Sequence, residues 1–235
     1  TYQFASIDLP NATDYAPTLD IEQTFIDCNI SEHSYKLREC LPGRDLVIYL
    51  ARTSPLEAMN QMTDLVFESV LAQDPVPMVI GASSVHAVDG AYSVDEGVLS
   101  TLSERRFDHI TDWPDRIPAT LPACPINPYS HEKAHVENWV QKMADRGHSA
   151  IAARWGGINA QNAMTKERGY FALWCHQEDA ARFVHACYTA HINNTLPSGA
   201  HYFVVSDNTY NIFDIEIPKR EIGYRPIHNA EQFYT

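Results

Sequence analysis

Short, continuously apolar runs alternate with longer amphipathic stretches along the chain. Asp45–Ala51 (DLVIYLA), Met78–Ala82 (MVIGA), Ala150–Arg154 (AIAAR) and Tyr202–Val205 (YFVV) have strand length. Their continuous rather than alternating apolar character marks strands covered on both faces. Tyr2–Ile7 and Thr24–Ile26 predict two more strands, each followed by an aspartate, Asp8 and Asp27. Between these runs, Leu56–Leu71, Tyr129–Arg146 and Glu178–Ala190 repeat apolar residues at spacings of three and four, the period of an amphipathic helix. Strands and helices in this alternation predict an α/β fold with a doubly wound parallel sheet. Asp89 to Pro128 is rich in Pro, Asp, Ser and Arg without clear period, which predicts a long surface excursion. After Gly156 the elements shorten, and Leu196–Gly199 and Ser206–Asn208 are turn-prone, as in a small C-terminal lobe.

Composition narrows the function classes. With 235 residues, 45% of them hydrophobic, the chain can bury a substantial core as one compact domain with a modest appendage. Nothing reads as a secretory h-region or a membrane-length apolar run, so a cytoplasmic protein is expected. The five cysteines, Cys28, Cys40, Cys124, Cys175 and Cys187, are an odd number without a CxxC pair. That usage fits reduced thiols, with no disulfide framework and no zinc or other metal site. A formal charge of −13 opposes a phosphate-backbone partner, so nucleic acid is not expected. Any anionic substrate would need local positive charge to hold it against this global field.

The sharpest local signal is Tyr129-Ser130-His131-Glu132-Lys133, a Tyr-x-x-x-Lys pair at the start of a predicted helix. A spacing of four puts both side chains on one face, about 5–6 Å apart at Cβ. A phenol is a poor base at neutral pH, and a neighbouring ammonium stabilises its phenolate. Lys133 could thus make Tyr129 a proton acceptor, although the same pair also fits a solvated helix face. Upstream, the Met78 strand delivers Ser83 and Ser84 at its C-terminal end, where ligands bind in open α/β sheets. A hydroxyl there can polarise the reacting oxygen while Tyr129 takes its proton.

The order of these pieces resembles the extended short-chain dehydrogenase/reductase family, also called the NAD-dependent epimerase/dehydratase family. GASSVHAVDGAY (Gly81 to Tyr92) resembles the serine strand of uronate dehydrogenases and of archaeal NAD-dependent glucose-6-phosphate dehydrogenases. ARWGGIN (Ala153 to Asn159) resembles their Arg-Ile-Gly strand, and ALWCHQEDAARFVHACYTA (Ala172 to Ala190) their Trp-Leu-Ser-x-x-Asp helix. SDN at Ser206 and EIGYRP at Glu221 resemble the C-terminal lobe. The resemblance implies a Rossmann-like NAD-binding domain over 1–156. Over 157–235 it implies a substrate lobe whose late strands and helices return to the sheet.

It also implies roles. Ser84, Tyr129 and Lys133 would be catalytic, with Lys133 also on the nicotinamide ribose. Asp8 would hold the adenosine ribose, favouring NAD over NADP, with Asp27 and Cys28 near adenine and Leu50, Ala51 and Asn60 beside the cofactor. Ser54, His86, Arg154 and Asn159 would contact substrate, Arg154 as the holder of a carboxylate or phosphate. As ordinary residues, Asp8 and Asp27 would be strand-end turn formers, and Ser54 and His86 would be structural. The implied activity is oxidation of a sugar at its anomeric hydroxyl to a lactone. A uronate is the first substrate expected and a sugar phosphate the second, with a homo-oligomer compatible. A sugar-nucleotide epimerase or dehydratase is the nearest alternative, and a non-catalytic protein that kept the fold is the alternative from another class.

The pattern departs from the family in places. No glycine-rich phosphate loop occurs, although the fold needs one after its first strand. In the 3-2-1-4-5-6 order the missing strand would lie between the Tyr2 and Asp45 strands, and its loss would leave inner edges unpaired. Residues preceding Thr1 are therefore expected. Val85 stands where the uronate enzymes carry asparagine, Arg52 where they carry glycine, and Asp89-Gly90 reads as a one-residue extension.

Overall fold

The computed structural model describes residues 3–9 and 23–234. Along the chain these form β1 (Phe4–Asp8), β2 (Gln23–Asp27), α1 (Ser34–Cys40), β3 (Leu46–Tyr49), α2 (Leu56–Leu71), β4 (Met78–Ser84) and α3 (Gly97–Ser103). Beyond these come α4 (Pro128–Asp145), β5 (Ala150–Trp155), α5 (Tyr170–Leu173), α6 (Gln177–Ile192), β6 (His201–Val204) and α7 (Glu216–Glu221). The six sequence-predicted strands and three predicted helices all form, within a few residues of their expected ends. Tyr2, expected to open the first strand, lies outside the described residues.

All described strand pairs are parallel, in two ladders: β1 with β2, and β3-β4-β5-β6. No ladder joins these two groups among the described residues. The chain correspondingly divides into two compact units, Thr1–Asp45 with Leu50–Pro77, and Leu46–Tyr49 with Met78–Thr235.

In the first unit α2 buries Met59, Met62, Val66, Phe67 and Val70, the three-and-four stripe that its sequence shows. The second unit is built around β4, every residue of which is buried. On one face Met78 and Ile80 of β4 join Ile151 and Ala153 of β5, Tyr202 and Val204 of β6, and Phe183 and Cys187 of α6 in one core. α4 packs on β4 and β5. The segment 89–128 is not a bare surface excursion. It carries α3, and it buries Leu102 and Ala119 in a second core with Trp174, Phe203 and Phe213. Tertiary packing stabilises these short elements, which have too little local period to be read in advance.

The five cysteines are free thiols. No helix among the described residues is long and apolar enough to cross a membrane.

Candidate active site

The site in the second unit begins at the end of β4. Ser84 is 4% exposed, and its Oγ accepts the backbone N–H of His86 at 3.2 Å, which starts a 3-10 turn over Val85–Ala91. Because Oγ is the acceptor in that bond, the hydroxyl hydrogen is left for another partner.

α4 supplies the second half. Its first turn is fixed by a capping box. Asn127 Oδ1 accepts the Ser130 N–H at 2.9 Å, Ser130 Oγ accepts the Asn127 N–H at 3.0 Å, and Pro128 occupies the first turn. Tyr129 therefore sits on that first turn, where the helix dipole presents its positive end, worth about 0.3–1 kcal/mol to a nearby negative charge. Lys133 lies one turn on, 5% exposed, with Nζ 5.2 Å from the Tyr129 ring centroid. Lys133 Nζ donates to the Ala82 carbonyl of β4 at 3.2 Å and lies 3.6 Å from the buried Glu132 carboxylate. The helix is thus tied to the strand end through the lysine itself. The structure brings Tyr129 and Lys133 together on the β4 side of α4, not on a solvated face.

His86 closes the group. Its ring stands edge-on to Tyr129, with centroids 5.7 Å apart at 66°. Its Nδ1 lies 3.0 Å from Asp89 Oδ1, and a carboxylate can only accept, so Nδ1 carries the hydrogen. Asn127 Nδ2 donates to the same Asp89 carboxylate at 3.3 Å. Asp89, to which the sequence pattern gives no role, therefore links the turn after Ser84 to the cap of α4.

Glu137 is a second residue that the sequence pattern does not single out. It lies one turn beyond Lys133, and its Oε1 accepts from Ser83 Oγ at 2.6 Å. Both of its oxygens hold the Arg154 guanidinium, Oε1 from Nε and Oε2 from Nη2, each at 2.8 Å. Ser83 and Arg154 are register partners across β4 and β5, which brings both to the same carboxylate. The third nitrogen, Nη1, donates to the Ala119 carbonyl at 3.3 Å, and Cζ stands 5.3 Å over the Phe203 ring. Arg154 is 0% exposed. The sequence expectation makes it a substrate ligand, whereas the geometry gives it a closed structural pairing. The Tyr129-Lys133-Glu137 stripe at spacings of four was the available signal.

Asn159 likewise meets partners of its own loop. Its Nδ2 donates to the Ala163 carbonyl at 2.7 Å and to the Tyr170 hydroxyl at 3.1 Å, and its Oδ1 accepts the Ala163 N–H. Gly156 and Gly157 just before it permit close packing, since a Cβ at either would strike the Leu173 carbonyl or the Tyr170 ring.

The remaining expected positions lie in the first unit. Asp8 is exposed at the end of β1, its Oδ1 accepting the Leu9 N–H at 2.7 Å. Asp27 is exposed at the end of β2, and the adjoining Cys28 is buried with Sγ 3.6 Å from the His33 carbonyl. Leu50 is exposed, Ala51 half-buried and Ser54 exposed before α2. Asn60 of α2 has a buried Oδ1 with no hydrogen-bond partner among the described residues.

Away from this site, His176, Glu178 and His228 bring three potential ligand atoms within 4.8 Å of one another. The imidazoles stack face to face with centroids 3.6 Å apart, and His176 Nδ1 accepts the Glu178 N–H as the cap of α6. Stacked rings aim their in-plane lone pairs side by side, and burial followed by His228 holds the His176 imidazole below its ordinary value. This is a helix cap with a ring stack on it.

Comparison with solved structures supplies the context. The chain is similar to uronate dehydrogenase from Agrobacterium tumefaciens, with a TM-score of 0.70 and 16% identity over 99% of this chain and 86% of that one. It is similar to glucuronic acid dehydrogenase from Chromohalobacter salexigens, with a TM-score of 0.73 and 15% identity over 98% and 77%. It is also similar to dTDP-glucose 4,6-dehydratase from Bacillus anthracis in complex with NAD, with a TM-score of 0.67 and 14% identity over 99% and 85%. The likeness is one of fold, a Rossmann-like α/β architecture with parallel strands. No family model and no curated protein matches the chain. At these identities the likeness establishes architecture, and function has to be argued from the site.

Proposed function

We propose that the protein oxidises a sugar at its anomeric hydroxyl to a lactone, with NAD as the hydride acceptor. The observation that carries this reading is the Tyr129 ring on the first turn of α4, with the buried Lys133 ammonium 5.2 Å from its centroid, tied to the strand that ends in Ser84.

In this reading Ser84 donates its hydroxyl hydrogen to the reacting oxygen. Tyr129 accepts the proton of the sugar hydroxyl as the carbonyl forms. Lys133 and the positive end of α4 both supply positive potential where the Tyr129 oxygen works. His86, held by Asp89, buttresses the ring from its edge. NAD, when bound, takes up the hydride released from the anomeric carbon.

In the same reading these residues would hold that cofactor. Asp8 and Asp27 offer exposed strand-end carboxylates for ribose and adenine, beside Cys28. Asn60 offers a buried oxygen that lacks a hydrogen-bond partner among the described residues, Leu50 and Ala51 follow the end of β3, and Lys133 would also hold the nicotinamide ribose. Ser54 and His86 are retained as substrate contacts. A dehydratase or epimerase reading shares the initial hydride abstraction and differs in the later steps. A cytoplasmic location and a homo-oligomer belong to the same proposal.

Thermal unfolding with added NAD separates the enzyme from a protein that kept the fold and lost the cofactor. At ~100 times the dissociation constant, NAD should stabilise the protein by about 2.7 kcal/mol. That corresponds to roughly 5–10 °C in Tm for a chain of this size. No shift with NAD or NADP favours the non-catalytic protein.

A further inference from the structure

The turn after Ser84 is held in place from the segment that leads into α4. Cys124 donates its N–H to the Ala87 carbonyl at 2.8 Å, and Gly90 donates its N–H to the Cys124 carbonyl at 2.9 Å. A Cβ at position 90 would stand 2.6 Å from Cys124 Sγ and 2.7 Å from the Cys124 carbonyl oxygen, so glycine there permits the approach. The Asp89-Gly90 pair, which reads in the sequence as an extension, is therefore a built turn that sets the Asp89 carboxylate between His86 and Asn127.

Both neighbours present donors to it. Asn127 Oδ1 is taken by the Ser130 N–H in the cap of α4, so the Asn127 amide nitrogen faces Asp89, 3.3 Å from Oδ2. His86 Nδ1 lies 3.0 Å from Oδ1 and 3.3 Å from Oδ2. A carboxylate offers an acceptor to each of these donors, and an amide does not. With the hydrogen on Nδ1, the lone pair of the neutral ring is on Nε2. The His86 side chain is 40% exposed against 18% for Asp89, so part of the ring stays open to a ligand while the carboxylate is largely covered.

We propose that Asp89 is a positioning residue for the sugar oxidation. It holds His86 in the Nδ1–H tautomer, so that His86 meets the substrate through Nε2, as the acceptor for a sugar hydroxyl beside Tyr129. This rests on the assignment of sugar oxidation to Ser84, Tyr129 and Lys133 and of His86 as a substrate contact. Asp89 acts through His86 and touches neither the substrate nor the reacting atoms.

Asp89→Asn is the diagnostic change, because it keeps the shape and sets an amide nitrogen against a donor in either orientation. At the place of Oδ2 that nitrogen faces the Asn127 amide, which the cap of α4 keeps from turning. At the place of Oδ1 it faces His86 Nδ1, and the ring relieves the conflict by moving its hydrogen to Nε2. The second orientation prevails, and Nε2 then donates where it had accepted.

Long-range proton–nitrogen correlation spectra of the full chain, isotope-labelled at its histidines and with His86 assigned from a His86→Gln variant, read the tautomer without turnover. The parent should show the Nδ1–H form of His86, and Asp89→Asn the Nε2–H form. An Nε2–H or doubly protonated ring in the parent, or a tautomer that Asp89→Asn leaves unchanged, overturns the proposal. In turnover with NAD and the best-used sugar among aldoses, uronates and sugar phosphates, Asp89→Asn should lower kcat/KM about tenfold, and should have no further effect in a His86→Ala background. A merely structural Asp89 costs the same in both backgrounds, and that result overturns its action through His86. No turnover by the parent with any of these sugars overturns sugar oxidation and with it the hydroxyl contact, while the spectra decide the tautomer independently.

Discussion

Glu137→Ala is expected to cost about 3–5 kcal/mol of stability, because it strands a guanidinium in the core. The Arg154 side chain is 0% exposed and that of Glu137 9%, so neither group can turn to water when its partner is lost. For a chain of this length that loss lowers Tm by roughly 6–20 °C. Ser83 Oγ loses its acceptor in the same variant. A buried pair replaced on both sides by apolar residues is often neutral. A Glu137→Leu, Arg154→Met double variant should therefore recover most of what Glu137→Ala loses. Thermal unfolding of both variants decides it. A Tm for Glu137→Ala within about a degree of the parent, against the several degrees that a stranded charge costs, would show that the carboxylate does not compensate Arg154.

Tyr129→Phe is expected to reduce kcat by about 10²–10⁴-fold, the range for loss of a positioned proton acceptor. The phenyl ring keeps the edge-on packing with His86 and the position beneath Lys133, so the variant subtracts an oxygen and little else. Stabilisation by NAD should be nearly unchanged, because the ammonium of Lys133 and the strand-end aspartates remain. Full activity in Tyr129→Phe would remove the phenol from the mechanism.

Much of the scaffold was legible because its signals are local. Continuous apolar runs and three-and-four periods located β4, β5, α2, α4 and α6 nearly to the residue, and Tyr129 and Lys133 fell on one helix face as their spacing requires. The parts that were not legible depend on contacts distant in sequence. Glu137 and Arg154 meet because β5 pairs with β4 in the register that sets Ser83 opposite Arg154, beneath α4. Sequence similarity suggested a substrate-binding arginine at that position, and nothing local announced a carboxylate already waiting there. Asp89 read as an insertion next to Gly90, and its link between His86 and Asn127 emerges only once the 3-10 turn after Ser84 is folded against the cap of α4. The 89–128 segment looked like surface because its helices are short, yet Leu102 and Ala119 are core residues.

The most direct measurement tracks the hydrogen that leaves the sugar. An aldose deuterated at the anomeric carbon is incubated with the protein and NAD, and the reduced nicotinamide is analysed by mass spectrometry. Hydride transfer from that carbon predicts one deuterium in each reduced NAD, together with formation of the lactone. Lactone formed with unlabelled reduced NAD, or no reduced NAD from any aldose, uronate or sugar phosphate, would contradict it.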